Sequence, residues 1–267
     1  MRTEEFCREM RRIILQQSMR ARVGHIGSAL SIADIIGVLY SDVLRVTNAQ
    51  DPARDRLVLS KGHAALAVYA ALHLKKFLSV EQLSTFCCDD SILGVHPEHA
   101  LDGIDFSTGS LGQGLSMAAG SALAAKIQSS DRFVYAVLSD GECNEGAVWE
   151  AIAFAAQHKL TNLCVIVDVN GQQAFGYTRD VMEMDNMGER WNSFRWNVHD
   201  VDGHDAAALS GLLKGLQKNP GSGPNVVMAR TTFGKGVGFM ENQIKWHYWP
   251  MNQQEFDQAI SEVESPA

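Results

Sequence analysis

Two dipeptides that each follow an apolar run are the first residues in this sequence able to hold an ion. Asp140-Gly141 follows the run 133–138, and Asn170-Gly171 follows the run 163–167. A carboxylate and an amide carbonyl are hard oxygen donors suited to Mg²⁺, which takes an octahedron of oxygens at roughly 2.1 Å and fills it with water and phosphate. Gly141 has no Cβ, so a ligand could approach its backbone closely. Asp-Gly and Asn-Gly are also ordinary turns that close strands. Alone, the pair leaves both readings open.

Gly109-Ser110-Leu111-Gly112-Gln113-Gly114 is the second candidate. Glycines ahead of a helix expose N–H groups which, with the helix dipole, attract a diphosphate. The spacing fits neither G-x-G-x-x-G nor G-x-x-x-x-G-K-[ST], and close helix packing would use the same residues. The third candidate is a set of histidines beside glycine or proline or in the aromatic run: His25, His63, His96 and His247. Imidazole passes protons near neutral pH, although a lone loop histidine is more often only hydrogen-bonded. No H-x-x-x-H spacing makes them a zinc site. His73, His99, His158, His199 and His204 take structural roles in this reading, as do Cys87, Cys88 and, although it lies beside the metal loop, Cys143.

The elements that must position these groups read as α/β. Apolar residues from Phe6 to Met19 recur at helical spacing, and Gly24 and Gly27 should break that helix. A second helix is expected over 31–41, with Ile32, Ile35, Ile36, Leu39 and Tyr40 on one face. Arg56–Leu59 reads as a strand before an Ala-rich buried helix, and the glycine run opens a helix that reaches about Lys126. The runs 133–138 and 163–167 are apolar throughout, as strands buried on both faces are. Helical pattern over 145–159 between them makes a βαβ unit and hence a parallel sheet. A Gly/Pro turn at 220–224 precedes a strand over 225–229, and a Gly-rich loop, aromatic residues and an acidic tail helix follow. The expectation is one α/β domain over 1–267, a parallel sheet with helices on both faces, with 248–267 as its tail.

Composition narrows the function. The chain has 267 residues, 46% of them hydrophobic, with a net charge of -8, which argues against a nucleic-acid-binding face. Five cysteines without a C-x-x-C argue against a disulfide framework. No apolar stretch reaches the length of a membrane span, and the first 22 residues lack a signal-peptide core. A soluble cytoplasmic protein with no membrane partner is expected.

In their order, these pieces resemble the N-terminal cofactor domain of transketolase. The matching stretches are Gly24-His25-x-Gly27-Ser28, Leu59-Ser60-Lys61-Gly62-His63 and His96-Pro97-Glu98. Thr108 to Leu115 follows, then Asp140-Gly141-Glu142-x-x-Glu145-Gly146-x-x-Trp149-Glu150-Ala151, Asn170-Gly171 and the loop from Thr231 to His247. The resemblance implies the thiamine diphosphate-binding fold. It makes Asp140, Asn170 and the backbone carbonyl of Gln172 the ligands of Mg²⁺, or of Ca²⁺ or Mn²⁺ in its place. Gly109 and Leu111 would line the cofactor, with Gly141 and Glu142 at its diphosphate. His63 and His247 would approach the diphosphate and the reacting carbons. His25 and His247 would transfer protons at the donor hydroxyl, His96 would hold the ketose C1 hydroxyl, and Glu145 and Glu150 match a carboxylate network between paired sites.

Three positions depart from the family pattern: Ser139 stands for Gly, Val169 for Asn and Ile26 for Pro. The larger departure is length, since only a short tail follows His247. The family's pyrimidine-binding domain, which supplies a glutamate to the cofactor and most of the sugar-phosphate contacts, is expected on a separate C-terminal subunit, in an α2β2 assembly. The implied reaction is transfer of a two-carbon ketol unit from a ketose or ketose phosphate to an aldose. Alternatives are a subunit of a 2-oxo acid dehydrogenase or deoxyxylulose phosphate synthase, and a non-catalytic scaffold that keeps the fold.

Overall fold

The computed structural model describes residues 1–265, which contain seven strands. They are β1 (Arg56–Leu59), β2 (Val134–Ser139), β3 (Leu163–Val169), the two-residue β4 (Gln172–Gln173) and β5 (Gly176–Tyr177), β6 (Asn197–Asp202) and β7 (Asn225–Arg230). Five pair in parallel in the order β1-β2-β3-β7-β6, while β4 and β5 form a separate antiparallel hairpin. Side chains alternate across the sheet, so each apolar strand feeds two cores. Val58, Ala136, Leu138, Val165, Val167 and Met228 pack with the helices Gln113–Ile127 and Gly146–Gln157. Leu59, Tyr135, Val137, Ile166, Val227 and Ala229 pack with Thr3–Ala21, Ala65–Leu74 and Ala206–Lys218. The expected layering, helices on both faces of a parallel sheet, is what forms.

Three local expectations are corrected. The first helix ends at Ala21 with Arg22 in the left-handed region (φ 54°), ahead of Gly24, while Gly27 lies inside the next helix. The helix expected over 31–41 is instead Ile26–Ser31 and Ala33–Val38, broken at Ile32, followed by a wide turn over Leu39–Val43. The Ser31 hydroxyl at the break donates to Asp168 (2.7 Å), so the interruption turns a polar group toward the sheet. The sequence pattern also missed β6, an edge strand with Asn197, His199, Asp200 and Asp202 in its six residues, which carries no apolar signal. Among the described residues no helix is long and apolar enough to cross a membrane, and all five cysteines are free.

Two buried ion pairs tie the layers. Lys61, after β1, meets Asp168 in β3 at 2.6 Å, with side chains 1% and 0% exposed. On the same face of the sheet Arg11, in Thr3–Ala21, donates to Asp34, in Ala33–Val38 (2.9 Å). His204 reaches Asp34 through Nδ1 (2.7 Å), and its Nε2 accepts the Thr232 N–H (2.8 Å). Because Nε2 accepts, the hydrogen belongs on Nδ1, and the imidazole bridges the first helices to the loop after β7. Burial alone would raise the Asp34 carboxyl, but Arg11 and His204 hold it down at about 2.

Asp168→Ala leaves the Lys61 ammonium buried without its counter-charge and should cost about 3–5 kcal/mol in urea unfolding. The depressed Asp34 carboxyl contributes stability that is complete above pH ~4 and lost as pH falls towards ~2, about 2 kcal/mol in all. Denaturant melts between pH 5 and 2 should show that window in the native chain and not in Asp34→Asn.

Candidate active site

The carboxyl ends of β1, β2, β3 and β7 deliver Lys61, Asp140, Asn170 and Thr231 to one region, where ligands collect in an open parallel sheet. Asp168 organises it from below. Its carboxylate accepts from Lys61, Ser31, Thr231 and the Asn170 amide nitrogen (2.9 Å). Fixing that nitrogen on a carboxylate directs the Asn170 carbonyl oxygen away from Asp168, to where the Gln172 N–H donates to it (2.9 Å).

Asp140 is buried, and its two oxygens accept the N–H groups of Gly141 (2.8 Å) and Gly171 (2.7 Å). Burial, with the Asp168 charge nearby, pushes its carboxyl up to about 7. An aspartate carboxylate and an asparagine carbonyl are oxygen donors of the kind Mg²⁺ takes, and the Gln172 side chain nearby in sequence is buried without a hydrogen-bond partner among the described residues.

A cavity of about 330 Å³ opens beside this pair, lined among others by Lys61, His63, Leu111, Asn170, Gln172 and His247. Two imidazoles, His63 and His247, line it, and a third, His25, packs against both. The ring centroids of His25, His63 and His247 lie 5.2, 5.1 and 5.4 Å apart in their three pairings. Burial first, and then each other's charge and Lys61, lower the basicity of His63 and bring His247 down to about 4. His25 is lowered too, by burial, His96 and Lys61. The shifts favour the neutral form of each ring, the form that can accept a proton.

The glycines around them have steric reasons. A Cβ on Gly24 would come within 2.4 Å of the Tyr248 carbonyl, and one on Gly27 within 2.1 Å of the Phe233 ring. These two contacts seat the loop after β7 against the helix Ile26–Ser31, and the His25 N–H donates to the His247 carbonyl (3.1 Å). His25 caps that helix at φ 61°, which aims its ring at the other two.

The remaining candidates divide. Leu111 and Gly141 line the cavity, whereas Gly109 does not; it lies against the ring of the exposed His96. Glu142 also lines the cavity, although it is fully buried. It accepts from the Ser60 hydroxyl and the Gly112 N–H (2.8 Å), so it braces the glycine run that would otherwise offer that N–H to a phosphate. Ser139, in place of the family's Gly, accepts the Glu142 N–H on its hydroxyl (3.2 Å). Cys143 is fully buried and donates to the Ser139 carbonyl (3.4 Å), and burial raises its thiol, the structural role expected. Asp168 was missed because it sits within an apolar strand. A lone carboxylate in such a run was the available signal, since one stays buried only when paired.

A sequence profile described as "Transketolase, thiamine diphosphate binding domain" matches residues 3–263. The chain is 36% identical over 255 residues to one of the subunits of the apulose-4-phosphate transketolase of Phocaeicola vulgatus, covering 95% of this chain and 90% of that one. It is 34% identical over 258 residues to the 6-deoxy-6-sulfo-D-fructose transketolase subunit SqwG of a Clostridium species, covering 96% and 94%. Against the solved transketolase of Campylobacter jejuni the TM-score is 0.88 at 31% identity, over 97% of this chain but 43% of the longer one. Human transketolase is 36% identical over 254 residues, and the match spans 40% of its length. With the profile running almost end to end over a sheet whose strand ends carry Asp140, Asn170 and the histidine cluster, this chain belongs to the transketolase family, as its thiamine diphosphate-binding domain.

Proposed function

We propose that this chain is the diphosphate-binding subunit of a two-chain transketolase, moving a two-carbon ketol unit from a ketose or ketose phosphate to an aldose. The observation that carries the reading is a cluster of three mutually packed imidazoles, two of which, His63 and His247, line a cavity that Asn170 also lines. A scaffold that merely kept the fold would have no use for such a costly cluster of unpaired rings.

Asp140, the Asn170 carbonyl oxygen and the backbone carbonyl of Gln172 would hold Mg²⁺, with Ca²⁺ or Mn²⁺ acceptable to the same oxygens. Thiamine diphosphate, when bound, supplies the electron sink that lets a ketose C2–C3 bond break. The chain's own residues position the sugar and move protons. His25 and His247, held neutral, accept the proton of the donor's C3 hydroxyl and return it to the acceptor. His63 lies where the diphosphate meets the reacting carbons, and His96 holds the C1 hydroxyl. Leu111 and Gly141 give the cofactor a close wall.

The partner is read from the rim. Phe175, at the β4–β5 hairpin, is 86% exposed, and Trp249, beside the loop that carries His247, is 64% exposed. Val181, Met182 and Tyr248 add exposed apolar area, and Tyr248 donates to the Ala174 carbonyl (2.8 Å), which joins the two patches. Such a rim fits a hydrophobic face on another chain. We assign it to a pyrimidine-domain chain in an α2β2 assembly, in agreement with the naming of the relatives as subunits. Glu145 and Glu150, both exposed, would join the partner's side of the site. Five free thiols suit a cytoplasmic setting.

The purified chain with thiamine diphosphate, Mg²⁺ and a ketose phosphate should transfer nothing, and adding a pyrimidine-domain chain should restore transfer. Turnover by the chain alone would refute the divided site, and turnover of pyruvate in place of a ketose would move the enzyme to another thiamine diphosphate class. In the complete enzyme, His25→Ala should lower kcat by roughly 10²–10⁴-fold, as loss of a general base does, with little change in unfolding temperature.

A further inference from the structure

Besides Asn170, three amide side chains share the cavity wall: Asn144, Gln172 and Gln173. Gln172 and Gln173 make up β4, and the hairpin lies over the turn after β2, where a Cβ on Gly141 would come within 2.7 Å of the Gln173 Cβ. Gln172 is 5% exposed, yet neither its Nε2 nor its Oε1 has a hydrogen-bond partner among the described residues. The Nε2 of Gln173 and the Oδ1 of Asn144 are buried and unpartnered as well. The contact between these side chains, Asn144 Nδ2 to Gln173 Oε1, is long at 3.5 Å. It turns the Gln173 nitrogen away from Asn144. Buried amides without partners are unfavourable and rare in native proteins, so a cluster of them at one cavity marks a ligand that completes their bonds.

Apart from the imidazoles, several polar groups of the region are already committed. Lys61 Nζ is on Asp168, the Gly112 N–H is on Glu142, and the Gly141 and Gly171 N–H groups are on Asp140. Asp140 and Glu142 also bring negative charge beside the cavity. An anion there needs neutral N–H donors besides its metal, and the glutamine nitrogens are free to serve.

We propose that the side-chain amides of Gln172 and Gln173 donate to the diphosphate oxygens of the cofactor, with Asn144 orienting Gln173. This rests on the thiamine diphosphate reading above and adds a side-chain role at Gln172 to the backbone carbonyl assigned to the metal. The amides clamp the diphosphate from the hairpin side, opposite in sequence from the glycine run, and their own satisfaction depends on its arrival.

Magnesium pyrophosphate and magnesium thiamine diphosphate, titrated into the full chain by calorimetry alongside thermal melts, test this. Gln172→Met keeps the bulk and removes the amide. Its melting temperature without ligand should rise by about 2–4 °C, because an unsatisfied buried group has gone. Its affinity for both probes should fall roughly tenfold, the loss of one hydrogen bond to a charged group. Gln173→Met should show the same two signs. Affinity unchanged in Gln172→Met while Asp140→Ala abolishes binding would overturn the clamp and leave the cofactor reading standing. A lowered melting temperature would mean the amide is satisfied inside the protein and would also overturn it. If the native chain bound neither probe, even with a pyrimidine-domain chain present, the cofactor reading would fall and the clamp with it.

Discussion

The arrangement depends on one carboxylate, Asp168, buried in the middle of the sheet. A buried charge is tolerable only when it is paired and its lone pairs are filled. Here one partner is the Lys61 ammonium and the others are Ser31, Asn170 and Thr231. Those four donors come from four separate segments: the end of β1, the helix Ile26–Ser31, the loop after β3 and the loop after β7. Satisfying Asp168 therefore draws together the strand ends where a ligand could sit. It also sets the face of Asn170, since an amide whose nitrogen is held must present its oxygen elsewhere. Burial first, and then the same Asp168 charge, push the Asp140 carboxyl up, so one residue both aims the Asn170 oxygen and bears on the neighbouring carboxylate.

The imidazole cluster answers a different constraint. Three rings within about 5 Å of each other cannot all carry charge in a partly buried space near Lys61, and the shifts favour the neutral form of each. Neutrality is the useful state for taking a proton from a sugar hydroxyl. The crowding itself is possible because Gly24 and Gly27 let the loop after β7 lie directly on the helix Ile26–Ser31, where any Cβ would collide with Tyr248 or Phe233. The motif glycines thus act on the histidines rather than on a phosphate. Gly112 behaves similarly, with its N–H given to Glu142.

The four strands that carry the site were readable because each is an apolar run buried on both sides, a pattern that needs no tertiary information. β6 was not, since an edge strand half open to water shows the composition of a loop. His204 looked like a turn residue, and only the folded chain puts it between Asp34 and Thr232. Asp140, Asn170, His63 and His247 were legible through their joint order, and the structure brings His25, His63 and His247 together. The bonds of Glu142 to Ser60 and the Gly112 N–H, and the absence of Gly109 from the cavity wall, were not legible, because both depend on which N–H each backbone turn leaves free. The side chains of Gln172 and Gln173 gave no signal at all. Glutamine in a short polar loop is ordinary until both amides are found buried.

Division of the site between two chains has a physical rationale in these pieces. In the proposed reading, the groups that would bind a metal and a diphosphate lie at strand ends, braced by Asp168, Glu142 and their donors. What surrounds the cavity mouth is different in kind: an apolar hairpin tip, exposed indole and phenol rings, and carboxylates pointing outward. A diphosphate can be recognised by a metal and local donors, whereas a flat pyrimidine ring needs an apolar wall on its far side. The rim supplies one half of such a wall and leaves its aromatic surface open to water, an unfavourable state that another chain's apolar face would relieve. Cofactor binding and the pairing of the two chains then bury the same surface, and each should strengthen the other by the same factor, because the coupling between two equilibria is reciprocal.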